Sequence, residues 1–127
     1  FNKEYFNIPI LHLTEMYLTR AESYARLGNI PAAVDDINMI INRAYKTAAQ
    51  VLDASVSQDA LLEIIEKERQ IELCFEGDRI HYLRRKGAFY DNELLIRDAA
   101  WDCDGFLLQF PSTEQTAVFE PNPPGGC

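Results

Sequence analysis

Two stretches of helical periodicity stand back to back with almost nothing between them. From about Ile10 to Leu27, apolar and small residues recur at steps of three and four. Leu11, Thr14, Leu18, Ala21 and Ala25 share one face, and Leu13, Tyr17, Tyr24 and Leu27 widen it. From Pro31 to about Lys46 a second stripe passes through Ala33, Val34, Ile37, Ile40, Ile41, Ala44 and Tyr45, with Asp35, Asp36, Asn38 and Asn42 on the other face. Gly28-Asn29 closes the first run because glycine accepts the left-handed backbone that ends a helix. Pro31 opens the second, where its missing N–H costs nothing. So short a link leaves one arrangement, an antiparallel helical hairpin.

The next segment, Thr47 to Ser57, is polar and small, with Val51, Leu52 and Val56 as weak anchors. Ser55 or Ser57 is the natural N-cap of a third helix, and Ser55 with Gln58 fits a capping box. This helix is expected to run to about Glu76 and to stop at Gly77. A shorter helical turn, Asp78 to Lys86, then stops at Gly87. Ile64, Glu68, Ile71 and Phe75 form one stripe, so Glu68 is a carboxylate in an apolar face. A lone buried carboxylate is costly. It calls for Arg79, Arg84 or Arg85 as an ion-pair partner, or for several backbone donors. The structural reading is a pair locking the third helix to the following turn. A catalytic role lacks support, because no second carboxylate or nucleophile is placed with Glu68.

Beyond Gly87 the character changes. Ala88 to Gly105 mixes Phe89, Tyr90 and Trp101 with Asp91, Glu93, Asp98, Asp102 and Asp104, and Phe106 to Pro111 is a short apolar run. Glu120 to Cys127 is rich in Pro and Gly and is expected to be extended and irregular. The expected fold class is all-α: a hairpin of two helices, a third long helix and a loop-rich last segment. The corresponding segments are 1–46, 57–87 and 88–127.

Composition removes several functions. With 20 acidic and 12 basic residues the formal charge of the 127-residue chain is −8. Such a chain has no electrostatic footprint for nucleic acid. No apolar run approaches the ~18 residues that span a bilayer. The opening FNKEYFNIPI has no basic-then-apolar signal pattern, and Phe1 in place of a start residue suggests an excerpt of a longer chain. Cys74, Cys103 and Cys127 form no C-x-x-C pair, which removes the usual support for zinc or dithiol chemistry. Cys74 falls in an apolar helical run and is expected to be packed. Cys103 and Cys127 lie in polar loops, and the sequence leaves open whether they are bridged. His12 and His81 are far apart and read as capping or surface residues. No catalytic residue, metal site or cofactor is expected.

Two resemblances sharpen this reading. The helix pair Tyr17–Tyr45 looks like a tetratricopeptide repeat, with Tyr17, Ala21, Tyr24, Gly28, Ala33 and Ile37 at the pattern positions and Arg20 where the repeat usually has Leu. More broadly, three stretches resemble the C-terminal half of the SusD/RagB family. They are ILHLTEMYLTRAESYARLGN (10–29) followed by AAVDDIN, ERQIELCFEGDR with its LRR (68–85), and FLLQFPSTE with PNPPGG (106–126). The turn after Gly77 departs from the family pattern, with Ile80, His81 and Tyr82 in place of aromatics and an Asp. The resemblance implies a helical, non-catalytic surface lipoprotein of Bacteroidetes. Such a protein captures a glycan or other nutrient and covers a SusC-like, TonB-dependent outer-membrane transporter. The lipid anchor would lie outside this chain, and much of the ligand surface would come from preceding segments.

Glycan recognition uses flat aromatics against sugar faces and polar groups for hydroxyls. The local candidates are Trp101, Tyr90 and Phe89, with Asp102 and Asp104 nearby. Asp98, Asp102 and Asp104 with Gly105 could offer oxygen ligands to a cation, but Pro111 falls where a calcium loop needs its closing Glu, so a solvated acidic loop is the better reading. The alternative function is a tetratricopeptide scaffold binding a protein segment. A glycan-cleaving enzyme is disfavoured, because no pair of carboxylates in distinct environments is visible.

Overall fold

The computed structural model describes residues 12–45, 51–111, 113, 122 and 125–127. They belong to two compact units, Phe1–Cys74 and Phe75–Cys127. The expected starts at Ile10 and Leu11 and the end at Lys46 lie outside the described residues.

In the first unit, helix α1 spans Leu13–Arg26, α2 spans Ile30–Tyr45 and α3 spans Gln58–Glu72. The α1–α2 link closes as the sequence requires. Gly28 has φ +77°. Its N–H donates to the Ala25 carbonyl at 3.0 Å and that of Asn29 to the Tyr24 carbonyl at 2.9 Å, the two bonds of a Schellman turn. Ala21, Ala25 and Ala33 are fully buried, and their small side chains let the two helices approach closely. Leu18, Ile37, Leu61 and Ile65 are the largest fully buried side chains. Each contributes roughly 1.5–3 kcal/mol by leaving water. Helix α1 has its larger interface with α2 and a smaller one with α3.

Several polar groups lie inside this core. Asp36, assigned above to the outer face of α2, is only 6% exposed. It accepts two hydrogen bonds from Arg20, at 2.7 and 2.6 Å. The departure at Arg20 from the repeat pattern thus has a partner across the helix pair. Asn38 clamps the chain arriving at α3, accepting from the Leu52 N–H at 2.9 Å and donating to its carbonyl at 3.0 Å. Ser57, not Ser55, caps α3, accepting from the Ala60 N–H at 3.3 Å. Ser55 instead donates its N–H to Asp53 at 2.8 Å. That contact holds the Asp53 carboxyl below its ordinary range. Gln58 is no capping-box partner: its amide donates to the Ala25 carbonyl at the C-terminal end of α1, 2.7 Å away.

Helix α3 ends at Glu72, one turn earlier than the pattern suggests. Phe75 and Gly77 both have left-handed backbone, at φ +68° and +78°, which no helix can carry. The apolar stripe is therefore shorter. Phe75 is fully exposed, Ile71 is half-exposed, and Cys74 is a free, exposed thiol rather than a packed one.

The second unit opens with helix α4, Asp78–Phe89. It runs through Gly87, where the sequence suggested a stop. Gly87 is there for space: a Cβ at this position would collide with the indole of Trp101. After α4, Leu95–Ile96 (β1) and Ala99–Ala100 (β2) form an antiparallel hairpin with Ile96 opposite Ala99. Its turn residues Arg97 and Asp98 have φ +51° and +66°, the positive-φ pair of a type I′ turn. A 3-10 turn follows at Asp104–Phe106. Cys103 and Cys127 are joined by a disulfide, with Cα atoms 5.7 Å apart. Among the described residues, four α-helices and one short hairpin make the chain predominantly α, as expected.

Candidate ligand-binding site

The sequence candidates for ligand contact all fall in the second unit, but the structure gives them different surroundings. Phe89 and Tyr90 end α4. They are 74% and 50% exposed, with ring centroids 6.2 Å apart and planes tilted by 51°. The end of the helix fixes them, because the Tyr90 N–H still donates to the Lys86 carbonyl at 2.9 Å and the Asp91 N–H turns back to the same oxygen at 3.0 Å.

Trp101 is held inward. Its ring covers Gly87 and its indole N–H donates to the Asn92 carbonyl at 3.2 Å. The backbone N–H of Trp101 also reaches the Leu94 carbonyl at 3.2 Å, extending the hairpin by one contact. Trp101 therefore ties the hairpin to α4, and only part of its surface faces water.

Asp102 and Asp104 are exposed and line an open groove of about 700 Å³. Arg97, Asp98, Gly126 and Cys127 also line it. Arg97 was not among the sequence candidates. Its place depends on a turn in which an L-residue adopts positive φ, which no glycine or asparagine signals. Among the described residues, no group of three or more His, Cys, Asp or Glu side chains comes together to hold a metal ion. The carboxylates of Asp98, Asp102 and Asp104 share the groove with Arg97. This arrangement can accept hydrogen bonds from hydroxyl groups.

The charged residues singled out elsewhere have other surroundings. Glu68 is 6% exposed on α3 and accepts from the Tyr45 hydroxyl at 3.1 Å. That contact, with the carboxylate charge, raises the Tyr45 phenol above its usual range. Arg69 on the same helix donates to Thr19 at 3.2 Å and lies 3.6 Å from Glu15. Arg43 pairs with Glu72. Arg79, Arg84 and Arg85 stand on α4. The guanidinium groups of Arg79 and Arg85 lie over the Tyr82 ring, at 5.9 and 5.3 Å from its centre. His12 precedes α1 without a side-chain cap bond, and His81 is exposed on α4.

The sequence model of the SusD family matches residues 2–98. The chain belongs to the SusD family. The match takes in the α1–α2 hairpin, all of α3 and α4 with Phe89 and Tyr90, and the hairpin turn; Trp101, Asp102 and Asp104 lie beyond it. The SusD family binds nutrients, glycans foremost, at the cell surface and is not a catalytic family. Its members are outer-membrane-associated lipoproteins that work with SusC-like proteins. No curated protein and no solved structure matches the chain. Among the described residues, no helix is long and apolar enough to cross a membrane.

Proposed function

We propose that this SusD-family chain takes part in capturing a glycan at the outer face of the outer membrane, without cleaving it, beside a SusC-like, TonB-dependent transporter. The family match over residues 2–98 carries the reading. Two features of the molecule support it. Phe89 and Tyr90 offer exposed rings to the apolar face of a sugar, and Asp102 and Asp104 offer acceptors to its hydroxyls. The Cys103–Cys127 disulfide suits an oxidising compartment, since cytosolic thiols are kept reduced. Attachment to the membrane is through a lipid on a cysteine upstream of this chain.

The test is affinity electrophoresis of the full-length protein in gels containing amylopectin, xylan or levan. Wild type is expected to be retarded by at least one of them. Removing both rings in Phe89→Ala/Tyr90→Ala is expected to weaken binding about tenfold, from roughly 0.5–1.5 kcal/mol per aromatic contact. Unretarded migration on every polysaccharide overturns glycan capture. A second reading, a protein-binding helical scaffold, draws on a hollow of about 160 Å³ on α1 lined by Leu13, Met16, Tyr17 and Arg20. It predicts a peptide partner and no affinity for sugar.

A further inference from the structure

The groove has two sides of different construction. The hairpin side, Arg97 to Ala100, is held by backbone pairing and by Trp101 seated over Gly87. The other side is made by Cys103, Asp104, Gly126 and Cys127. Here backbone lies against backbone. A Cβ on Gly105 would come within 2.9 Å of the Cys127 sulfur, and one on Gly125 within 3.3 Å of the Gly105 Cα. Gly125 and Gly126 bring no side chain to bury, are exposed, and gain the most conformational freedom on release. Among the described residues, the covalent bond across a separation of 24 residues is the strongest tie on this wall, the Asn122 amide adding a hydrogen bond to the Leu108 carbonyl at 2.9 Å three residues before Gly125.

We propose that the Cys103–Cys127 bond is a redox latch. Oxidised, it builds the groove. Reduced, it lets Gly125–Cys127 leave, and one wall goes with them. Its role in ligand capture rests on the function proposed above; its mechanics rest on the geometry alone.

The two sulfurs differ in a way that suits exchange. Cys127 is exposed, whereas Cys103 is buried and its sulfur accepts the Gly105 N–H at 3.2 Å. A thiolate of an external dithiol attacks the accessible Cys127 sulfur. The S–S electron pair leaves with Cys103 as a thiolate, which the Gly105 N–H stabilises and which then takes a proton. The second thiol of the reductant resolves the mixed disulfide and releases Cys127 as a thiol. Two electrons and two protons pass to the protein, and the reductant ends as a disulfide. Closure is the reverse, with a disulfide as oxidant.

Hydrogen–deuterium exchange of the full-length protein, with and without dithiothreitol, tests the latch. Reduction is expected to speed exchange across residues 103–107 of wild type at least about tenfold and to leave the hairpin, 95–100, as it was. The Cys103→Ser/Cys127→Ser variant should exchange fast from the start and ignore the reductant. Unchanged exchange in reduced wild type overturns the proposal. Glutathione, a monothiol, should leave its adduct on Cys127 and free Cys103 for alkylation; the opposite pattern overturns the assigned direction of attack. In the polysaccharide gels, loss of retardation in the double variant supports gating of the ligand, and full retardation refutes it. If wild type itself binds no glycan, capture fails as a function while exchange still decides the latch.

Discussion

Gly87 shows how a single missing atom can organise a unit. Alanine is the better helix former, by about 1 kcal/mol. Yet the Cβ it adds would occupy the space of the Trp101 ring. Overpacking of this kind costs about 1–3 kcal/mol. Gly87→Ala is therefore expected to lower the urea midpoint despite its higher helix propensity, and Trp101→Ala should relieve much of that loss in the double variant. Tyr45 illustrates a different residue-scale effect. Its hydrogen bond to Glu68 raises the phenol pKa in the folded state. A raised folded value means that the folded chain holds the proton longer than the unfolded one. The stabilisation is complete below the ordinary phenol range, near pH 10, and is lost as pH climbs through the folded value. Tyr45→Phe should remove this part of the alkaline destabilisation, read as a flatter dependence of the urea midpoint on pH above about 9. It should also lower the midpoint at neutral pH, because the buried Glu68 loses a donor.

At the scale of elements, the hairpin turn carries the clearest local conflict. Arg97 and Asp98 both sit in left-handed backbone, which costs an L-residue roughly 1–2 kcal/mol unless a short polar side chain offsets it. Asp98→Gly is expected to raise the stability of the second unit by about 1 kcal/mol, seen as a higher urea midpoint of a tryptophan-fluorescence transition. The same conflict explains why the hairpin was not legible: nothing in Leu-Ile-Arg-Asp-Ala-Ala spells a type I′ turn. Helices α1 and α2 were legible because periodicity, Gly28 and Pro31 all point the same way. The end of α3 was not, since Ile71 and Phe75 continue the stripe in sequence while the backbone has already turned at Leu73. Gly87 misled for a related reason, because a glycine that makes room and a glycine that ends a helix look alike in one dimension. Asp36 and Cys74 were each assigned to the wrong environment. One is drawn inward by Arg20, and the other is left outside by the early end of α3. Among the candidate ligand residues, Phe89 and Tyr90 keep the exposure that a sugar platform requires, whereas Trp101 is partly occupied in holding the hairpin.

At the scale of the whole molecule, the charge of −8 selects among ligands. The groove with Asp98, Asp102 and Asp104 against a single Arg97 adds a local bias of the same sign. Polyanionic glycans should therefore bind less well than neutral ones of similar backbone, and the gap should narrow as salt screens the repulsion over a Debye length of roughly 10 Å at 0.1 M. Affinity electrophoresis with polygalacturonate beside its methyl-esterified form, at low and high salt, checks this; equal retardation at low salt would falsify it. Charge also distinguishes the links within the three-helix unit. Arg20–Asp36 joins α1 to α2 and Arg69–Glu15 joins α1 to α3, so both seams of α1 carry an ionic contact, whereas Arg26–Glu22 lies within α1. The bond from the Gln58 amide to the end of α1 joins two neutral groups. Added salt should screen the exposed Arg20 guanidinium and leave the Gln58 bond indifferent, so the start of α3 keeps its mooring to α1 whatever the ionic strength.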